Sequence, residues 1–180
     1  MPRYGMVIDE TKCVGCYSCR VACQNQYNLA ENEAYNHLEE QEYGMFPNYT
    51  REFRPVQCQH CDNPPCVKVC PTGASYKREK DGVVLVDKDK CIGCKYCIAA
   101  CPYNVRIISK QGYIEKCRFC IDFVEQGGKP ACMTTCMTGV RMFGDLDDPT
   151  SEISQYIVKN KLTQFKAELN TKPRIYYKKG

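Results

Sequence analysis

No apolar stretch in the 180 residues approaches the roughly 20 needed to cross a bilayer, so the sequence predicts no membrane span. It holds no nucleophile–base constellation, phosphate-binding loop or second metal site, which leaves no visible catalytic apparatus. The 25 Lys and Arg residues form no long tract and match no nucleic-acid-binding module, so the formal charge of +4 does not point to nucleic acid. Histidine is scarce, with only His37 and His60. Cysteine is abundant: sixteen fall in four groups of four, with none left over.

The groups are Cys13, Cys16, Cys19 and Cys23; Cys58, Cys61, Cys66 and Cys70; Cys91, Cys94, Cys97 and Cys101; and Cys117, Cys120, Cys132 and Cys136. In a small exported domain such density would suggest disulfides. Gaps of two and three residues instead favour convergence on a common centre within one loop. The fourth group alone would also suit tetrahedral zinc. The third would not, because Cys91, Cys94, Cys97 and Cys101 followed by Pro102 form the bacterial ferredoxin run, whose last cysteine serves a different cluster from the first three. Three close cysteines hold three corners of an iron–sulfur cubane and leave the fourth for a remote residue. If Cys97 to Cys101 is one helical turn, its ends lie on one face about 6 Å apart, which holds neighbouring clusters close.

The intervening residues agree. Gly15 and Gly93 let the backbone approach a cluster and aim amides at sulfur. Pro71 and Pro102 disfavour helix at Cys70 and Cys101. His60 lies between two ligands, but a Rieske centre requires two histidines on one iron, so a packing or hydrogen-bonding role is expected; His37 is given no role.

An internal repeat sets the architecture. Cys70-Pro71-Thr72-Gly73-Ala74 echoes Cys136-Met137-Thr138-Gly139-Val140, and Ile8-Asp9-Glu10-Thr11-Lys12-Cys13 echoes Val86-Asp87-Lys88-Asp89-Lys90-Cys91. The chain reads as a duplicated ferredoxin of α+β class. Strands are predicted at Tyr4 to Ile8, Ala74 to Tyr76, Val83 to Val86, Arg106 to Ile108 and Val140 to Phe143, with a hairpin turn at Asp81-Gly82. Residues 24–57, with Tyr27, Tyr35, Tyr43, Phe46, Tyr49 and Phe53, are too irregular for one helix and too aromatic for a flexible linker. They read as an ordered insertion that packs on a partner or covers its own module. Asp148-Pro149 predicts a helix start, followed by an extended Lys172 to Lys179 whose tyrosines suggest docking on a larger subunit.

The four groups, with Cys58-Gln59-His60-Cys61-Asp62-Asn63-Pro64-Pro65-Cys66 giving C-x2-C-x4-C, resemble the iron–sulfur subunit of the dimethyl sulfoxide reductase family of molybdenum enzymes. Within that family the chain resembles the subunits of polysulfide, thiosulfate, tetrathionate and arsenate reductases. The similarity runs from Arg3-Tyr4-Gly5 through Phe143-Gly144-Asp145 to Arg174-Ile175-Tyr176-Tyr177. The resemblance implies four [4Fe-4S] clusters. It assigns Cys13, Cys16, Cys19 and Cys136 to one; Cys23, Cys117, Cys120 and Cys132 to another; Cys58, Cys61, Cys66 and Cys101 to a third; and Cys70, Cys91, Cys94 and Cys97 to the last. An outer module (1–23 plus 102–147) would then enclose the insertion (24–57) and an inner module (58–101), followed by a helix and tail (148–180). One departure from the family pattern is Met137, where proline follows the last cysteine.

The function implied is relay of single electrons between a quinone-linked membrane anchor subunit and a large molybdopterin catalytic subunit, acting on a sulfur or arsenic oxyanion. A tungsten aldehyde-oxidoreductase partner, or a free polyferredoxin, is the alternative. With no export signal read before Cys13, the folded subunit is expected to reach the outer, periplasmic face with an exported partner, or else to serve a cytoplasmic complex. Four oxidised clusters, at about −2 each with their thiolates, would bring the net charge to about −4. Among the cations, Lys95, Lys116 and Arg118 lie beside ligands and could raise cluster potentials. Lys77, Arg78, Lys80, Lys172, Arg174, Lys178 and Lys179 read as solvated surface or partner contacts.

Overall fold

The computed structural model describes residues 1–179 and mixes short helices and strands in an α+β arrangement. The largest sheet has four strands. β1 (Tyr4–Asp9) runs antiparallel to Arg141–Asp145 on one side and parallel to Ile175–Lys178 on the other, and the latter is edged by Thr163–Gln164. Because β1 is interior, its apolar run Met6, Val7, Ile8 is buried. Met6 faces Phe143 on one neighbour and Ile175 on the other.

Three separate hairpins complete the strands. β2 (Asn36–Met45) pairs in unbroken register with β3 (Asn48–Gln57). β4 (Ser75–Lys77) pairs with β5 (Val84–Val86), and β6 (Arg106–Ile108) with β7 (Ile114–Lys116). The outer strands of the large sheet are then β8 (Arg141–Asp145), β9 (Thr163–Gln164) and β10 (Ile175–Lys178). Between them lie α1 (Ser18–Tyr27) and four one-turn helices, α2 (Pro65–Lys68), α3 (Tyr96–Ala99), α4 (Ile121–Val124) and α5 (Ala131–Thr134), followed by α6 (Glu152–Asn160). Each one-turn helix lies beside a cysteine group, and α2 and α3 end before Cys70 and Cys101, where the following prolines forbid continuation.

All five predicted strands form, Arg106–Ile108 with the predicted ends and the others with ends shifted by a residue or two. The Asp81-Gly82 turn does not join β4 and β5 in two residues. Six residues connect them, because Asp81 is drawn inward to pair with Arg78 and to accept from the Val83 N–H at 2.9 Å, while Gly82 turns at φ +68°. The 24–57 insertion is the end of α1 followed by the long β2–β3 ribbon. Its base is buried at Asn36, Val56 and Gln57, and its tip bears Met45 and Phe46, 83% and 94% exposed.

The tail is corrected most. The helix begins at Glu152, not after Asp148: Asp148 is occupied holding the Thr150 N–H at 2.8 Å, and the Ser151 hydroxyl caps the helix by accepting from the Ser154 N–H at 3.2 Å. Nor are the terminal aromatics a docking surface. Ile175 and Tyr177 are 0% and 2% exposed because β10 is an interior strand whose side chains enter the chain's own core. Arg174, expected at the surface, is buried too, paired with Asp62 at 2.6 Å and donating to the Asp81 carbonyl. Most of the other surface-assigned cations are matched within the chain: Lys77 with Asp62, Arg78 and Lys80 with Glu125, and Lys178 with Asp9.

Candidate metal centres

The sixteen cysteines are free of disulfides, and the fold gathers them into four sets. One cavity is lined by Cys13, Cys16, Cys19 and Cys136 (set A), and another by Cys23, Cys117, Cys120 and Cys132 (set B). A third is lined by Cys70, Cys91, Cys94 and Cys97 (set D). The remaining four form set C: Cys58 and Cys61 share a buried apolar cluster with Cys101 packed against it, and both Cys66 and Cys101 are close enough to the Cys61 thiol to act on it. Each set draws three cysteines from one sequence group and the fourth from another group. The fourth sequence group, which alone would have suited zinc, is thereby split, with Cys136 in set A and the other three in set B. Among the described residues, no three His, Cys, Asp or Glu side chains close tightly enough to hold a single metal ion.

The sets stand in a row. Cys19 and Cys132 belong to one apolar cluster, which joins A to B. Cys117 packs against the cluster that holds Cys58 and Cys61, joining B to C. Cys66 and Cys97 share a third cluster, joining C to D. The middle of the row is buried, while Cys16 in A and Cys94 in D reach the surface.

Burial governs the thiols. It pushes Cys23 and Cys61 up to about 12, with neighbouring cysteines adding to the rise, and holds Cys117 well above its ordinary value. Such thiols become ligands only when a metal's charge displaces their protons. At the surface the balance reverses: hydrogen bonds from Ser18 hold the Cys16 thiol below its usual value. Backbone amides are aimed at sulfur elsewhere. The Ser75 N–H donates to Cys70 Sγ at 3.3 Å and the Val140 N–H to Cys136 Sγ at 3.4 Å.

His60 takes the packing role expected of it. It is fully buried, stacks on Phe119 at 3.8 Å, and its Nδ1 accepts from the Val84 N–H at 3.2 Å. Of the three cations read beside ligands, Lys95 is exposed and Arg118 is half-buried and paired with Asp122, so only Lys116 lies in the interior. Two interior cations escaped that reading, Arg106 and Arg141. Their signal was present: each stands five residues after the last cysteine of its group, Cys101 and Cys136. At the equivalent place after Cys70 stands Ser75, whose Oγ accepts from Arg106 at 2.9 Å. The Nη1 of Arg106 is buried with no hydrogen-bond partner, and none of Arg106, Lys116 or Arg141 meets a carboxylate among the described residues. Buried cations and an orphaned donor facing thiols fit an anionic group in these sites.

A family model described as a 4Fe-4S dicluster domain matches residues 49–146, more than half of the chain. A Halobacterium salinarum protein assigned as the iron–sulfur subunit of a dimethyl sulfoxide reductase is 39% identical, the match covering 100% of this chain and 80% of that protein. The chain belongs to the 4Fe-4S dicluster family, with the iron–sulfur subunits of the dimethyl sulfoxide reductase type. Protein NrfC of Escherichia coli is 45% identical over 97% of this chain and 79% of its own length. A tetrathionate reductase subunit of Salmonella typhimurium is 41% identical over 97% and 72%. As a 4Fe-4S dicluster protein the chain carries [4Fe-4S] clusters, and sixteen cysteines suit four of them. No helix among the described residues is long and apolar enough to cross a membrane.

Proposed function

We propose that the chain relays single electrons between a quinone-linked membrane subunit and a molybdenum bis(pyranopterin) catalytic subunit that acts on a sulfur or arsenic oxyanion, itself contributing no catalytic residue. The observation that carries this reading is the row of four cysteine sets, buried in the middle and exposed at both ends. Sets A, B, C and D would each ligate one cluster through all four of their cysteines. Sets A and B would make an outer two-cluster module (1–23 plus 102–147), and C and D an inner one (58–101). Bound there, [4Fe-4S] clusters supply one-electron redox chemistry.

The protein's own residues do the rest. Apolar packing around Cys58, Cys61, Cys66 and Cys132 keeps water from the middle of the row. The amides of Ser75 and Val140 favour added charge on the sulfurs they face. Cys16 and Cys94 offer the two places where partners can approach closely. Two relatives are named as subunits of reductases, which supports a dedicated catalytic partner. We place the complex on the outer face of the membrane, the subunit having been carried across by an exported partner.

The test is metal analysis of the complex purified anaerobically from its host. Iron near sixteen per chain, with molybdenum in a co-purifying large subunit, is the expected result. A chain that purifies alone, or one holding zinc instead of iron, would refute the reading.

A further inference from the structure

Buried arginine and lysine side chains are costly unless an anion compensates them. Arg174 obeys this rule in the ordinary way, paired with Asp62 at 2.6 Å, as does the half-buried Arg54, paired with Glu10 at 2.6 Å. Arg141, Lys116 and Arg106, at 3%, 5% and 6% exposure, do not. Their hydrogen bonds go to neutral acceptors: Arg141 donates to Gln57 Oε1 at 2.9 Å, Arg106 to Ser75 Oγ at 2.9 Å, and Lys116 to the carbonyls of Val84 and Cys117.

Their placement is regular. Arg141 neighbours both sets A and B, with Nη2 at 3.8 Å from Cys19 Sγ and with Cys132 nearby. Lys116 neighbours both B and C, donating to the Cys117 carbonyl at 2.9 Å and lying near Cys58 and Cys66, with Arg106 close by. Arg106 neighbours both C and D, lying near Cys66 and Cys58 of the one and Cys97 of the other. The row has three junctions, and each holds one cation.

Resting on the ligand sets proposed above, we infer that Arg141, Lys116 and Arg106 are junction cations, each raising the potentials of the two cluster sites it separates and offsetting the repulsion that one reduced site exerts on the next. A negative charge added on either side of a fixed cation is favoured, and in a dry interior the effect falls off slowly enough to reach both neighbours. A purely structural cation would have no reason to recur once at every junction.

The pattern is specific. Removing Arg141 acts on sites A and B, Lys116 on B and C, and Arg106 on C and D. Redox titration followed by electron paramagnetic resonance, on the cluster-loaded complex carrying Arg141→Met, Lys116→Met or Arg106→Met, reads it directly. Each variant is expected to lower two midpoint potentials by at least a tenfold change in reduction equilibrium, ~59 mV for a one-electron couple. The other two potentials stay in place, and Arg141→Lys and Arg106→Lys restore the original values. Shifts spread evenly over all four sites, confined to one, or missing overturn the inference. If the methionine variants lose iron, Arg141→Gln and Arg106→Gln are titrated in their place. Should these also lose iron while the Arg→Lys variants load fully, the cations serve folding and the inference falls. Iron far below sixteen in the unsubstituted chain would instead sink the ligand sets themselves.

Discussion

The loop from Cys13 to Cys19 and the loop from Cys91 to Cys97 form the two exposed ends of the row, and their backbones are nearly the same. Gly15 and Gly93 sit at φ +65° and +67°, while Tyr17 and Lys95 begin the following helices at φ +59° and +65°. Their cover differs. The first loop lies under the β2–β3 ribbon, where Phe53 packs on Gly15, Tyr17 donates to Glu40 at 2.5 Å, and Leu38 and Pro55 close the cavity of set A. The second has no ribbon, and Gly93 abuts the Gly112 carbonyl instead. One loop chemistry has thus been given two faces: a jutting ribbon with an apolar tip at one end, and a bare loop bearing Ile92, Lys95 and Tyr96 at the other. Two ends with equal chemistry and unequal surfaces fit a relay that must tell its donor from its acceptor.

The largest test of this comparison removes one cysteine from each end. Cys16→Ser and Cys94→Ser are each expected to alter the paramagnetic signal of a single, different cluster site and leave three unchanged. If both change the same site, the row is wrong. Stripping all iron with a chelator should unfold the chain, seen as loss of circular dichroism, because the sites' binding energy is folding energy. Next in size is the anchor of the ribbon, the half-buried pair of Arg54 with Glu10 at 2.6 Å. Arg54→Met should cost about 3 kcal/mol in chemical denaturation and expose set A to oxidation, leaving D as before. Smaller is the difference between glycines. Both need a left-handed backbone, but a Cβ at Gly93 would lie 2.7 Å from a backbone oxygen, and one at Gly15 would meet only the Phe53 ring, at 2.5 Å. Gly93→Ala should therefore destabilise by about 1 to 2 kcal/mol more than Gly15→Ala in parallel denaturation curves. Smallest is the tip: Phe46→Ser should leave stability within about 0.5 kcal/mol, because the ring is 94% exposed. Any loss it causes should appear only in co-purification with a partner.

Much of the candidate site was legible because spacing along the chain is itself geometry: C-x2-C-x2-C can wrap little else, and the glycine inside it answers a left-handed turn. The ribbon was not legible. Its alternation is spoiled by charged and amide side chains on both faces, and burial is confined to its base, Asn36 to Glu39 on one strand and Phe53 to Gln57 on the other. Ile175 and Tyr177 misled for the opposite reason: a short apolar run looks the same whether it awaits a partner or completes an interior strand. Arg106 and Arg141 were overlooked because their one signal, a place five residues after the last cysteine of their groups, says where they stand in the repeat but not that they are buried.

Taken alone, the order of residues determined the kind of site and the number of thiols in it, because these depend on contacts within a few residues. Only the tertiary structure decided that the four sets adjoin in the order A, B, C, D, which ends meet solvent, that the tail belongs to the core, and that, among the described residues, a buried cation without a carboxylate partner neighbours each adjoining pair. Those depend on segments far apart in the chain, such as Cys19 and Cys132 or Arg141 and Gln57, whose proximity is set by the packing of the sheet and hairpins.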